Sequence, residues 1–151
     1  MRPSVEEQLL GTCRVLEQLV APCVADPYAR TILEGLISNL RMLTSALPAV
    51  PGFLSSDNRA TAGLLGQFQG VVAPELAAGI ALALEQPEPD GADMTALDQR
   101  NCELRELFSQ ALSDAGLTPA LRAAAIVHMS ARAARTPMRY VPTITPHAKA
   151  T

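Results

Sequence analysis

Apolar residues in this chain recur at steps of three and four and nowhere alternate cleanly with polar ones, a pattern that predicts helices and no sheet. Ser4 followed by Glu7 has the form of a capping box, and Leu9, Cys13, Leu16 and Val20 then line one face of a first helix that Pro22 limits at about Ala21. Asp26 before Pro27 marks a second start, because the carboxylate caps free amides and proline fits the first turn. The helix it opens carries the longest stripe in the chain, Ile32, Leu36, Leu40, Leu43 and Leu47, widened by Leu33 and Ile37 and stopped by Pro48. The short link between these helices predicts an antiparallel pair.

Residues 48–56, with two prolines and a glycine, read as a connector. A third helix is expected from Ser56 and Asp57 through Leu64, Leu65, Phe68 and Val72, weakened by Gly63, Gly66 and Gly70 and restarted at Pro74. Close helix contact is the expected role of Gly66, Gly70 and Gly79. Leu76, Ile80 and Leu84 continue to about Glu85, and the acidic, proline-bearing stretch 86–93 reads as a solvated loop. Thr95, with Asp98 in the first turn, is the expected cap of a helix through Leu97, Leu104, Phe108 and Leu112 that ends at Gly116; Asn101 falls near its inward face and is expected to bond across the bundle. Thr118 and Pro119 repeat the cap-and-proline device for a last helix to about Arg135. The fold class is therefore all-α: an antiparallel bundle of about five helices over residues 1–136, nucleated by the first two, with an irregular tail over 137–151.

Composition supports a bundle of small side chains. Hydrophobic residues make up 48% of the 151 but aromatics only 3%, so the core must be built from Leu, Ala, Val and Ile. No apolar run reaches the roughly 18–20 residues of a membrane span, and the N-terminus turns acidic where a signal peptide would turn apolar, so the expected location is cytoplasmic. Charge is divided unevenly. Asp114 is the last acid, and Arg122, Arg132, Arg135, Arg139 and Lys149 follow it. Such a basic end either balances the acidic first part or meets an anionic partner. Arg122, Arg132, Arg135 and Arg139 are the candidate partner-binding residues, since guanidinium groups bind carboxylates and phosphates in bidentate fashion.

The residues compose no recognisable reaction centre. Cys13, Cys23 and Cys102 lack metal-ligand spacing and read as reduced, mostly buried thiols; His128 and His147 have no ligand residues beside them. The glycines form no phosphate loop, residues 86–93 lack the ligand pattern of a calcium loop, and no Gly-x-Ser-x-Gly occurs. Glu6/Glu7 and Glu103/Glu106 sit where helices carry solvated charge, and His128 reads as a packed or surface histidine. The expectation is a chain without catalytic, cofactor-binding or metal-binding residues. A pI near 5.3 argues against nucleic acid as the partner.

The order of features carries a resemblance. The opening Arg2-Pro3-Ser4-Val5-Glu6-Glu7-Gln8-Leu9-Leu10, the Leu19-Val20-Ala21-Pro22 end of the first helix, Ile37-Ser38-Asn39-Leu40-Arg41-Met42-Leu43, Glu103-Leu104-Arg105-Glu106-Leu107 and Pro119-Ala120-Leu121-Arg122 resemble a family of short bacterial helical proteins. These are the small companions of aminoglycoside-phosphotransferase-like kinases, as in levulinate catabolism, where the kinase phosphorylates a 4-hydroxyacyl-CoA. The resemblance implies a non-catalytic subunit that stabilises or activates a kinase of acyl-CoA or hydroxy-acid catabolism. The alternative reading of the residues is a self-associating helical protein, a homodimer with no kinase partner. The middle of the chain, residues 48–92, is longer than the family pattern.

Overall fold

A computed structural model describes residues 2–137 of the chain. Six α-helices occur among them: α1 (Val5–Val15), α2 (Pro27–Ala46), α3 (Val50–Phe68), α4 (Pro74–Glu85), α5 (Met94–Ser113) and α6 (Pro119–Arg135). There is no strand among the described residues, so the all-α bundle is the architecture.

Helix starts follow the caps read from the sequence. Ser4 and Glu7 close a reciprocal capping box, Asp26 accepts from the amides of Tyr28 and Ala29, and Thr118 accepts from Leu121. Helix α1 passes into a π-helical segment, Leu16–Val20, and a 3-10 turn, Ala21–Cys23, that absorbs Pro22. One cap differs. Asp93, not Thr95, accepts from the Ala96 amide, so α5 begins at Met94.

Residues 48–56 are not a connector. A 3-10 turn, Leu47–Ala49, takes Pro48, and α3 begins at Val50 with Pro51 in its first turn, where the missing N–H removes no helical bond. The glycines of α3 do not break it, because its other face is the best buried in the molecule: Leu64, Leu65 and Phe68 join Ile80, Leu104, Phe108, Ala111, Leu117 and Ala125 in one core. That cluster draws on α3 to α6, and α1 and α2 contribute nothing to it. The first two helices, from which the bundle was expected to build, thus lie outside its main core. They pack on each other as an antiparallel hairpin that buries Cys13 and Ile37 and joins the rest through the 3-10 turn before α3.

Successive helices of the α3–α6 unit run antiparallel, but the closest pair, α3 and α5, is parallel. Asn58 meets Leu97 at one end and Phe68 stacks on Phe108 at the other, with ring centroids 5.9 Å apart. Helix α6 returns along α3, bringing His128 to Thr61 and Arg132 to Asp57.

Gly116 also departs from expectation. Helix α5 stops at Ser113, capped by extended Asp114, and no described glycine has a positive φ. The requirement at Gly116 is steric: a Cβ there would collide with the Val71 carbonyl. Gly66 and Gly79 face Leu84 and Leu107 at ordinary contact distance, and a Cβ at Gly70 would meet nothing within 4 Å, so tight helix approach is not what these three positions serve. Of the cysteines only Cys13 is buried; Cys23 and Cys102 are exposed thiols, which corrects the expectation of mostly buried ones.

Candidate functional site

Two features stand apart from ordinary packing: a buried polar node where α3, α5 and α6 meet, and an uncharged flank of the α1–α2 hairpin.

The node is built on Asp57, which is completely buried. Its Oδ2 accepts from Arg132 Nε at 2.8 Å and from Asn101 Nδ2 at 2.8 Å. Asn101 Nδ2 also donates to Asn58 Oδ1 at 2.8 Å, and Asn58 returns to the Leu97 carbonyl at 3.0 Å. Arg132 Nη2 reaches Asn101 Oδ1 at 3.4 Å, and the guanidinium lies 5.6 Å from the centre of the Phe53 ring. Asp57 Oδ1 accepts no hydrogen bond among the described residues. Unpaired buried acceptors are destabilising, so the position of this carboxylate rests on Arg132 and Asn101.

One turn along, Thr61 Oγ1 and His128 Nε2 are 3.1 Å apart, and the imidazole meets the Phe108 ring edge-on at 5.4 Å between centroids. Burial pushes the His128 pKa down; Asp57 opposes this, and Arg135 and Arg132 add to it. A hydroxyl on an imidazole is half of a nucleophilic triad. The other half would be a carboxylate orienting the ring, and Asp57 is instead engaged by Arg132 and Asn101. Thr61 is 1% exposed, and with His128 it lines the inner end of a groove between α5 and α6.

The candidate arginines are not brought together as one patch. Arg122 spends Nε, Nη1 and Nη2 on the carbonyls of Leu117, Leu112 and Asp114, so it clips the end of α5. Arg132 holds Asp57. Arg135 is exposed and, among the described residues, makes one bond, from Nε to the Ala131 carbonyl of its own helix. Arg139 lies outside the described residues, as does most of the expected tail.

The hairpin flank follows from the helical period. Tyr28, Ile32 and Leu36 share one stripe of α2, while Arg30, Glu34 and Arg41 sit roughly 160–180° round from Ile32 at about 100° per residue. Val5, Thr12 and Val15 lie on one side of α1, away from Glu6, Glu7 and Arg14. Arg41 reaches across to Glu17 at 2.7 Å, which places the charged sides of both helices on one flank and the uncharged sides on the other. The uncharged flank is uncovered: Val5 is 67% exposed, Tyr28 75%, Ile32 48% and Leu36 54%. Leu19, in the π-helical segment, is 65% exposed. In the sequence the same Ile32 and Leu36 read as core, because a stripe shows that a face is apolar and not what covers it.

Asp57 and Asn58 escaped the sequence reading, since a polar pair near an expected helix start looks like capping. Asp57 stands four positions before Thr61 and Asn58 seven before Leu65, helical-face spacings that were the available signal. Asn101 does bond across the bundle as its inward position implied. Among the described residues no group of three or more His, Cys, Asp or Glu could hold a metal ion, and no helix is long and apolar enough to cross a membrane.

No family model, curated protein or solved structure matches this chain.

Proposed function

We propose that this chain is a non-catalytic accessory subunit that docks a partner protein on the uncharged flank of its α1–α2 hairpin. The observation that carries the reading is the segregation of charge on that hairpin, with large apolar side chains about half or more exposed on one side and the Arg41–Glu17 bridge on the other. Contiguous exposed apolar surface of this kind marks an interaction site. The size fits: α2 has 20 residues, so two helices side by side present about 30 Å by 20 Å, or about 600 Å2, near the share of one partner in a standard interface.

The partner class comes from the resemblance: a phosphotransferase-like kinase acting in acyl-CoA or hydroxy-acid catabolism. The engagement of Asp57 by Arg132 and Asn101, which leaves His128 without an orienting carboxylate, supports an accessory role over a catalytic one. Arg135 is the described candidate arginine with most donor capacity left for an anionic contact. Co-purification with a phosphotransferase-like kinase tests the reading, with Ile32→Glu as the variant that should abolish the complex.

Self-association is the second reading, favoured by the lack of charge on the flank, which leaves nothing to repel a second copy. Two hairpins face to face would form a four-helix arrangement. Light scattering on the isolated chain separates the two: a dimer dispersed by Ile32→Glu supports homodimerisation, and a monomer supports docking to a different protein.

A further inference from the structure

Helix α6 lies along α3, and the space between α5 and α6 is a groove of about 310 Å3. Phe108, Leu112 and Met129 give it an apolar floor, and Arg105 and Arg132 stand on its wall. Both arginines also line the adjoining cleft, of about 210 Å3, beside Phe53 and Leu54. They therefore form a partition shared by two mostly apolar hollows.

The two guanidinium groups are in different states. Arg132 is held in place by Asp57 and Asn101 and lies over Phe53, with Nη1 uncommitted. A side chain fixed in this way loses little further freedom on binding. Arg105 is exposed and makes no hydrogen bond or ion pair among the described residues. Arg105 and Arg132 line the groove together with His128 and no carboxylate, Asp57 being buried behind Arg132, and Asp98 borders only the second cleft. The balance in the groove is positive, beside a floor that only an apolar body can cover.

We infer that the α5–α6 groove binds a small organic carboxylate with an apolar chain, its head between Arg105 and Arg132 and its chain against Phe108 and Leu112. The Arg105 guanidinium can hold a carboxylate through bidentate hydrogen bonds, Arg132 can add one from Nη1, and the floor contributes through the area it removes from water. A free phosphate shares the charge but has nothing to place on the floor; an alcohol of the same length has the chain and no charge. The residues involved differ from those of the hairpin flank, so either site can fail without the other.

Isothermal titration of the full chain with hexanoate, hexanol, acetate and inorganic phosphate tests the assignment. Hexanoate should bind saturably and at least about tenfold more tightly than the other three, because each lacks the head or the chain. Arg105→Gln, at an exposed position, should reduce hexanoate to the level of hexanol while leaving the thermal midpoint unchanged. Ser109→Trp, on the exposed wall of the groove, should abolish binding by filling it. Absence of saturable heat with hexanoate would overturn the inference. So would equal binding of acetate or phosphate, which is attraction of anions alone, or undiminished binding in either variant.

Discussion

Asp57 on α3 and Arg132 on α6, 75 residues apart, meet through a 2.8 Å hydrogen bond in which the carboxylate is wholly buried and the guanidinium about three-quarters so. Removing one partner strands the other. Arg132→Met should destabilise the chain by about 3 kcal/mol in urea unfolding, because Asp57 then keeps its burial and loses its cation. Adding Asp57→Leu should recover part of that loss, giving a coupling above about 1 kcal/mol in the double-mutant cycle. Additive effects would mean that the pair contributes nothing as a pair.

Two glycines should respond to alanine in opposite directions. At Gly116 the new methyl collides with the Val71 carbonyl, and backbone must move, so Gly116→Ala should lower stability by about 2 kcal/mol or more. At Gly63, inside α3, a methyl meets nothing within 4 Å, and Gly63→Ala should raise stability by about 0.5–1 kcal/mol. Thermal unfolding of the two variants reads both effects.

These glycines show where the sequence was legible. Helix existence, and most starts, followed from caps and stripes that act within a few residues: Ser4 with Glu7, Asp26 with Pro27, Thr118 with Pro119. What covers a stripe depends on other helices. Leu64, Leu65 and Phe68 on α3 and Ile32 and Leu36 on α2 look alike as apolar repeats, yet the first set is buried and the second is largely bare. The Asp57 node was hidden for the same reason, because its partners come from residues 101 and 132. Gly116 read as a helix-ending glycine by position, and the neighbour that makes it necessary is 45 residues away in the chain.

The pH dependence follows from His128. Burial lowers its pKa, so the folded chain prefers the neutral ring and the unfolded chain takes up the proton first. The stability this group contributes is complete above its ordinary value of 6.5 and is lost as pH falls below that value and through the folded one. Urea midpoints should fall between about pH 7.5 and pH 5, and His128→Gln should flatten that decline. At more acid pH a second loss is expected from Asp114, whose pKa is lowered by the amides of Ala73 and Gly116; its contribution is present above the ordinary 3.8 and lost as pH falls through the folded value. A midpoint that rises on acidification across the histidine range would contradict the assignment.

Because α1 and α2 lie outside the core cluster, they should open more readily than α3 and α5. Hydrogen exchange on the isolated chain should show amides of residues 5–15 and 27–46 exchanging at least about tenfold faster than those of residues 54–68 and 97–111. Equal protection would mean that the hairpin is stabilised by something other than its own packing.

The most direct test of the proposed docking is the mass, by light scattering, of this chain co-expressed with a phosphotransferase-like kinase of the class proposed as its partner. The account predicts a stable complex that is lost when Ile32 and Leu36 are changed to Glu and retained when Ile126, equally exposed on α6, is changed to Glu. A complex indifferent to the hairpin changes, or no association with the kinase at all, would contradict it.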